Sequence, residues 1–380
     1  MTAGVIVMNA SAVALAADST VTIPYRDGAK HFRGASKLLA LHSRAPVAVF
    51  WYGSPDYLGV PWEVLIKDFR SHSTDLRSSV AKYQTALFEY VDEAAVGWEL
   101  ASTDHARVLV QPLLSRVVKA LQVPVAKRDE VVAQVIADWR ESLRPRRRVL
   151  EDGFVEGYAP LWEWLEGQLN ELADDGALQA VSRQALRTAA LSAWTHLSAR
   201  EPEHTGLVVA GYGEAERLPV ICPYLLGVPV GGRPRRAEMR PVAVSAETPA
   251  IIVPFAANTH ARLFMEGIDP NLKKWFMGAL KELDLPKPVV ERLIRLLEQQ
   301  INDHGRPVTE AVRFLPKADL AELARQIVGF TAFRLRMSMS VETVGEPIDV
   351  AVVSRSEGVV WVHRTHYFPP ALNPRYSLGG

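Results

Sequence analysis

The first eighteen residues restrict the fold of this chain more than any other segment. Gly4–Val7 and Ala12–Ala17 are short apolar runs typical of strands, and the segment Asn9–Ser11 between them predicts a tight turn. The second run ends at Asp18. We therefore expect the chain to begin with a β-hairpin whose second strand closes on a carboxylate.

The chain start also carries a candidate nucleophile. Met1 is followed by Thr2 and Ala3, whose small side chains favour removal of Met1 by an aminopeptidase. A threonine at the mature N-terminus combines a hydroxyl with a free α-amine that can act as its base. Thr2 is therefore expected to supply both the nucleophile and the general base.

In these features the segment resembles the start of a proteasome β-subunit, an N-terminal-nucleophile hydrolase. That family begins with a threonine, pairs two strands through a turn and ends the second strand in a tag of the Ala-Asp-Ser type. Here the tag is Ala17-Asp18-Ser19, with Asp18 sixteen residues after Thr2, which matches the family spacing.

Two further stretches match the family in the same order. Lys37 precedes the apolar run Leu38–Leu41, and a second run, Pro46–Gly53, follows a short linker. Near the C-terminus, Val344–Val353 and the segment 354–361 resemble the family's last two strands, with a weaker similarity at 205–255. The resemblance implies a four-layer αββα sandwich of the α+β class, built from two stacked antiparallel sheets with helices on both outer faces.

Composition excludes several classes of protein. Lys+Arg and Asp+Glu both number 43, which argues against a general nucleic-acid binder. The single cysteine, Cys222, excludes internal disulfides and predicts a small buried side chain. No run of about 18 apolar residues predicts a membrane span, and no basic segment suggests a signal peptide. We expect a cytoplasmic protein without a metal site or cofactor.

The chain is longer than a proteasome β-subunit, and the excess has helical periodicity. We assign 1–56 and 201–380 to the hydrolase-like core, with 257–337 mainly a helical layer, and 57–200 to a helical insertion. The helices are expected at Leu58–Arg70, Val80–Asp92, Ala106–Leu121, Asp129–Leu143, Tyr158–Leu172, Leu178–Leu197, Thr259–Glu266, Asn271–Leu283, Lys287–Asn302 and Ala318–Phe333. Strands are expected at Gly206–Gly211, Leu218–Pro223, Arg240–Val244, Ala250–Pro254 and Ile348–Val353.

Three polar segments lead to local expectations. Arg144–Arg148 is interpreted as a solvated basic loop, with an acidic partner surface as the alternative. Gly231–Arg236 is interpreted as a hairpin loop. Asp349, at the start of an otherwise apolar strand, is expected to reach solvent.

The resemblance assigns roles to particular residues. Thr2 is the nucleophile, Lys37 the cation that favours a neutral Thr2 amine, and Asp18 the carboxylate that holds Lys37. The oxyanion donor would be a backbone N–H in the segment Trp51–Gly53, where ungapped register places Trp51 at the family's glycine position. Lys30 is the alternative to Lys37, which is favoured by the strands that follow it.

The remaining family positions match less closely. Glu342 is assigned the place of a family aspartate near the threonine amine. Asn258 or Thr259 would replace a family serine, with helix N-capping as the alternative. Val49 is expected to line the pocket for the residue before the cut.

Three functions follow from these assignments. The leading one is a threonine peptidase acting on peptides or unfolded proteins; the others are a small-amide hydrolase and a catalytically inert scaffold. By analogy the resemblance implies a homo-oligomer, with a ring and an ATPase partner as further expectations. Neither a nucleic acid nor a membrane is expected as a partner.

Overall fold

The computed structural model describes residues 2–25, 28–94, 99–173, 178–338, 344–366, 368 and 372–373. Within these ranges the chain forms seventeen strands and twelve α-helices. The strands are β1 Ala3–Asn9, β2 Val13–Asp18, β3 Thr20–Tyr25, β4 Gly28–Arg33, β5 Leu38–Ala40, β6 Val47–Gly53, β7 Asp56–Tyr57, β8 Val60–Pro61, β9 Arg146–Arg148, β10 His196–Ser198, β11 Thr205–Gly211, β12 Val220–Val230, β13 Arg233–Glu238, β14 Val242–Ala243, β15 Ala250–Ala256, β16 Ile348–Ser354 and β17 Gly358–His363. The helices are α1 Trp62–His72, α2 Val80–Ala94, α3 Glu99–Val108, α4 Gln111–Ala120, α5 Arg128–Ser142, α6 Asp152–Glu156, α7 Ala159–Ala173, α8 Ala180–Thr195, α9 Thr259–Glu266, α10 Pro270–Glu282, α11 Lys287–Val312 and α12 Lys317–Arg336.

Two antiparallel sheets form the centre of the molecule. The first has the strand order β15-β1-β2-β16-β17, and the second has the order β13-β12-β11-β6-β5, with β14 beside β12. The predicted N-terminal hairpin is β1 and β2, in which Gly4 pairs with Ala17 and Met8 with Val13. The hairpin therefore lies inside the first sheet, with β15 and β16 on its two sides.

The apolar residues of β1 and β2 alternate between two cores. Ile6 and Leu15 pack between the sheets, against Phe50 of β6. Val5 and Ala16 face the opposite way, towards α12. A strand covered on both faces needs apolar residues at every position, which explains the continuous apolar runs of this hairpin.

Helices cover the outer face of each sheet. Helix α12 packs across β1, β2 and β16 through a row of small side chains, with α9 and α11 beside it. On the other side, α1 and α2 cover the second sheet, where Trp62 and Leu87 pack against Val49 and Val209. The molecule is thus an αββα sandwich, which confirms the predicted fold class.

Helices α3–α8 bury a core of their own. Leu113, Ile136, Leu165 and Trp194 meet there with Val230 at the end of β12. Helices α1 and α2, although inside the predicted insertion 57–200, share the core of the second sheet instead. The boundary of the insertion at residue 57 stays a prediction.

Several local expectations are wrong. The helix expected over Ala106–Leu121 is two helices, because Pro112 in the first turn of α4 has no N–H to continue α3. Helix α11 extends ten residues beyond the expected Asn302, through Pro307. The expected hairpin loop at Gly231–Arg236 is present as the turn Gly231-Gly232 between β12 and β13, but Arg233–Arg236 belong to β13. Arg146–Arg148 pairs with β10 instead of remaining a solvated loop.

Strand β13 also buries a charge that the sequence pattern did not indicate. The Arg235 side chain is 0% exposed, and its Nη1 and Nη2 atoms donate to the two Glu201 carboxylate oxygens over 2.8 and 3.1 Å. Backbone carbonyls of Ala193 and Val228 accept further bonds from the guanidinium. A charge can be buried here because it is paired and hydrogen-bonded.

Two further sequence expectations can be compared with the structure. Cys222 is 3% exposed in the core under α1 and α2, which confirms the predicted small buried side chain, and burial raises the pKa of its thiol to about 12. Among the described residues, no helix combines the length and apolar character needed to cross a membrane.

Candidate active site

The N-terminal hairpin places Asp18 beside the chain start. The turn closes through a bond from the Asn9 N–H to the Ala12 carbonyl, and the Ser11 N–H donates to Asn9 Oδ1. The resulting register brings the last residue of β2 opposite the first of β1. The Ala3 N–H therefore donates to Asp18 Oδ1 over 2.9 Å, one peptide from Thr2.

Lys37 completes a buried ion pair with Asp18. Its Nζ atom lies 3.0 Å from Asp18 Oδ1 and 2.5 Å from the Thr20 carbonyl oxygen. The other carboxylate oxygen of Asp18 accepts from the Thr20 N–H over 3.2 Å. The side chains of Lys37 and Asp18 are 1% and 0% exposed.

Burial and pairing act in opposite directions on these two groups. Burial lowers the pKa of Lys37, and the charges of Asp18 and Asp349 oppose that shift. Burial also raises the pKa of Asp18, and the field and hydrogen bond of Lys37 oppose it, followed by the N–H groups of Ala3 and Thr20. Each charge is therefore maintained by its partner, and loss of one leaves the other in an unfavourable environment.

Asp349 is a third buried charge beside the pair. It lies on β16 opposite Ala17, is 4% exposed, and accepts a 2.7 Å bond from the Thr365 N–H. The expectation that it would reach solvent is wrong, because the chain after β17 returns over it. An acidic residue inside an otherwise apolar strand was the one sequence signal that could have identified it.

Thr2 itself is buried in this structure. It is 4% exposed, and its carbonyl oxygen accepts a 2.9 Å bond from the Ala257 N–H. Thr2 is thus fixed on both sides, by the Ala3 bond to Asp18 and by the chain after β15. Met1 lies outside the described residues.

The backbone amide of Trp51 is already engaged. Its N–H donates to the Lys37 carbonyl oxygen over 3.0 Å, as part of the pairing of β5 with β6. Its indole Nε1–H donates to the Ser36 carbonyl oxygen. An N–H bonded within the sheet is not free to donate to an oxyanion in this arrangement, and a donor from the segment Trp51–Gly53 stays a prediction. Val49 is 0% exposed under α1 and α2, so it does not line an open pocket.

The other predicted residues lie apart from the pair or outside the described ranges. Lys30 is on β4 with an exposed side chain, in contrast to the buried Lys37. Asn258 is at the N-cap position of α9, but its side chain makes no capping hydrogen bond. Thr259 is the first residue of that helix. Glu342 lies outside the described residues.

Two hydroxyl groups next to the pair were not singled out from the sequence. Ser19 Oγ and Thr20 Oγ1 are buried and have no hydrogen-bond partner among the described residues. Gly345 lies close to Thr20, where an added Cβ would be 3.2 Å from the hydroxyl oxygen. These groups directly follow Asp18, so the segment 18–20 contributes a carboxylate, a carbonyl that accepts from Lys37 and two unpaired hydroxyls.

Comparisons with known proteins give structural similarity alone. No family model and no curated protein matches the sequence. Among solved structures, a Gly-1 mutant of Anbu from Hyphomicrobium sp. strain MC1 aligns over 99% of this chain and 94% of its own, at 11% identity and a TM-score of 0.31. Anbu (ancestral beta-subunit) from Yersinia bercovieri aligns over the same shares, at 13% identity and a TM-score of 0.29.

Proposed function

We propose that this protein is an N-terminal-nucleophile hydrolase in which Thr2, once Met1 is removed, attacks an amide carbonyl. The observation that carries the proposal is the buried Lys37–Asp18 pair joined to the chain start by the bond from the Ala3 N–H. Burying two charges is costly unless they are paired and hydrogen-bonded. A pair buried one peptide from a threonine is explained if its field acts on that threonine.

The chemistry follows from the groups at the chain start. The α-amine of Thr2 would take the hydroxyl proton while the oxygen attacks the carbonyl carbon. It would return the proton to the leaving amine, which leaves an ester between Thr2 and the acyl group. Water then attacks the ester and releases an acid and the hydroxyl. The positive charge of Lys37 would favour the neutral, basic form of the amine.

Peptides or unfolded proteins are the substrates that the resemblance implies, and a small amide is the alternative. Rates on an unfolded protein and on small amides would separate the two. An ATPase that delivers unfolded chains remains part of the peptidase proposal only. A homo-oligomer, with a ring as one form, is also proposed rather than shown.

Two observations favour an inert scaffold as the second candidate. In the chain that retains Met1, Thr2 is 4% exposed, which leaves little of it open to a substrate. The Trp51 N–H, at the position expected to bind the oxyanion, is bonded to Lys37. If Met1 is retained, Thr2 has no free amine and the scaffold is the better assignment.

The decisive experiment is intact mass followed by active-site labelling. Loss of Met1 and labelling by an epoxyketone, which reacts with both the hydroxyl and the amine, would support the hydrolase. Thr2→Ala should abolish labelling, whereas Thr2→Ser should retain it. Lys37→Ala should abolish it, and Lys30→Ala is the matched control that should not. Retained Met1, or labelling that persists in Thr2→Ala, would reject the proposed nucleophile.

Self-association has a separate basis in the second helical block. Large apolar side chains there are more than half exposed on or beside α10, α11 and α12, namely Leu272 at 53%, Trp275 at 67%, Leu296 at 54%, Phe314 at 76% and Phe333 at 55%. A contact between copies of the chain that covers these side chains would remove their apolar surface from water. Light scattering should give a mass above that of one chain, and Trp275→Glu should lower it. A monomeric wild-type protein would contradict the proposal.

A further inference from the structure

A groove opens where the edges of the two sheets lie side by side. In the described part of the chain, β5 is the last strand of the second sheet and β17 the last strand of the first. A cavity of about 670 Å³ lies between them, with Ala40 on one wall and Trp361 on the other. The loop 41–46, α1 and the β16–β17 turn complete its rim. This volume is in the range of small-ligand pockets.

The lining of this groove is strongly basic. It includes four arginines, Arg44, Arg70, Arg355 and Arg364. The single carboxylate in the lining, Glu357, is bound by Lys317 from α12 over 2.8 Å. The groove therefore has an excess of positive charge in a protein whose total charge is zero.

Within the described residues, none of these arginines has a carboxylate partner. Arg44 donates to the Thr74 carbonyl, and Arg355 donates to the carbonyls of Glu214 and Glu216. Backbone carbonyls fix the position of a guanidinium without neutralising its charge. These two side chains are therefore held in place at the rim while their charges stay available.

Arg70 and Arg364 both line the groove and make no hydrogen bond that fixes them elsewhere among the described residues. Arg70 is half-buried on α1, and burial followed by the positive charge of Arg364 lowers its pKa. Arg364 lies over the ring of Trp361, with its Cζ 4.6 Å from the ring centroid. The aromatic ring positions the Arg364 guanidinium, and within the described residues neither of the two guanidinium groups has a carboxylate partner. Two like charges brought together in this way favour the uptake of an anion.

We propose that this groove binds a small, multiply charged oxyanion, held by the guanidinium groups of Arg70 and Arg364. Guanidinium forks match the oxygens of phosphate and carboxylate groups and bind both in the same bidentate manner. A phosphate ligand and a carboxylate ligand would therefore be bound alike, and titration with a ligand of each kind distinguishes them. The site is independent of the proposed hydrolase activity, because it uses none of Thr2, Asp18 or Lys37.

Calorimetry with inorganic tripolyphosphate at low ionic strength tests the proposal directly. Wild-type protein should bind one equivalent saturably, and affinity should fall as salt is added. Arg70→Gln/Arg364→Gln should bind at least tenfold more weakly. Arg306→Gln, at an exposed arginine of α11 that pairs with Glu310, is the matched control and should bind like wild type. Equal affinity of the wild type and the double variant for tripolyphosphate would contradict the proposed site.

Two additions keep the result interpretable. Arg70→Lys/Arg364→Lys keeps the charge but loses the guanidinium forks, and it should give intermediate affinity. Citrate in place of tripolyphosphate distinguishes a carboxylate ligand from a phosphate ligand. Tighter binding of hexaglutamate than of both small anions would contradict a small-ligand site and indicate an acidic peptide instead.

Discussion

The Lys37 ammonium group and the Asp18 carboxylate form an ion pair at 3.0 Å from which solvent is almost wholly excluded. Asp18 is the last residue of β2 in the first sheet, and Lys37 directly precedes β5 of the second sheet, which is stacked on the first. The pair therefore connects the two halves of the sandwich at the chain start. Its contribution to stability can be separated from any contribution to catalysis.

Removing one partner of this pair should be strongly destabilising. Lys37→Met or Asp18→Asn should lower the free energy of unfolding by about 3–5 kcal/mol, because each leaves the other charge buried without its partner. The double variant should lose less than the sum of the two. Urea unfolding followed by tryptophan fluorescence measures both quantities. Arg306→Ala, which breaks an exposed pair with Glu310, is the control and should change the free energy of unfolding far less. Additive losses would show that the two side chains are not coupled.

Asn9 should be essential to the attachment of α11. Its side chain is 1% exposed, and its Nδ2 donates to the carbonyls of Val312 and Leu315 over 2.9 and 3.0 Å. Asn9→Ala should cost about 1–3 kcal/mol, because it leaves buried carbonyls without donors. Asn9→Asp should cost more at neutral pH, since a carboxylate would face the negative end of a helix. Ser11→Ala keeps the backbone bond to Asn9 and serves as the control. An Asn9→Ala variant with an unchanged free energy of unfolding would show that Asn9 is not needed to attach α11.

Acid should destabilise the protein partly through His42. Its Nδ1 accepts from the N–H groups of Arg44 and Ala45 over 3.0 and 2.9 Å, so protonation at that atom would break both bonds. Burial, followed by the charges of Arg44 and Arg77, lowers the pKa of His42 below 6.5. Below about pH 6.5 the unfolded chain therefore takes up a proton that the folded chain does not, and stability falls by up to about 1.4 kcal/mol per pH unit.

The pH dependence has a direct check. In His42→Asn the side-chain oxygen can replace Nδ1 as the acceptor without titrating, so the dependence of unfolding free energy on pH between 6.5 and 5 should become shallower. An unchanged slope in His42→Asn would assign the acid sensitivity to other groups.

Gly4 should tolerate no side chain while Phe50 is present. A Cβ on Gly4 would lie 2.1 Å from a ring atom of Phe50, in the core between the sheets. Gly4→Ala should cost about 1–3 kcal/mol by overpacking, and less in a Phe50→Leu background. Gly167→Ala, on α7, would place a Cβ with no atom within 4 Å apart from its own helix backbone, and it should instead stabilise by up to about 1 kcal/mol. The two free energies of unfolding should therefore change in opposite directions.

Local sequence patterns predicted most of the elements but not all of their limits. The hairpin of β1 and β2 follows from two apolar runs around a polar turn, and Thr259–Glu266 is a helix with the expected ends. Strand β13 was missed because its arginines alternate with few apolar residues. One of them, Arg235, is buried only because Glu201 is supplied from elsewhere in the chain.

The sequence by itself determined most of the strands and helices, and the spacing that assigns Thr2, Asp18 and Lys37 to one site. It did so because periodicity and turn chemistry are local, and because the resemblance rests on residue types at fixed intervals. Only the tertiary structure decided that Asp349 is buried, that the Trp51 amide is engaged and that four arginines line one groove. These outcomes depend on which distant group supplies a hydrogen bond or a charge, and burial is tolerable only where such a partner is present.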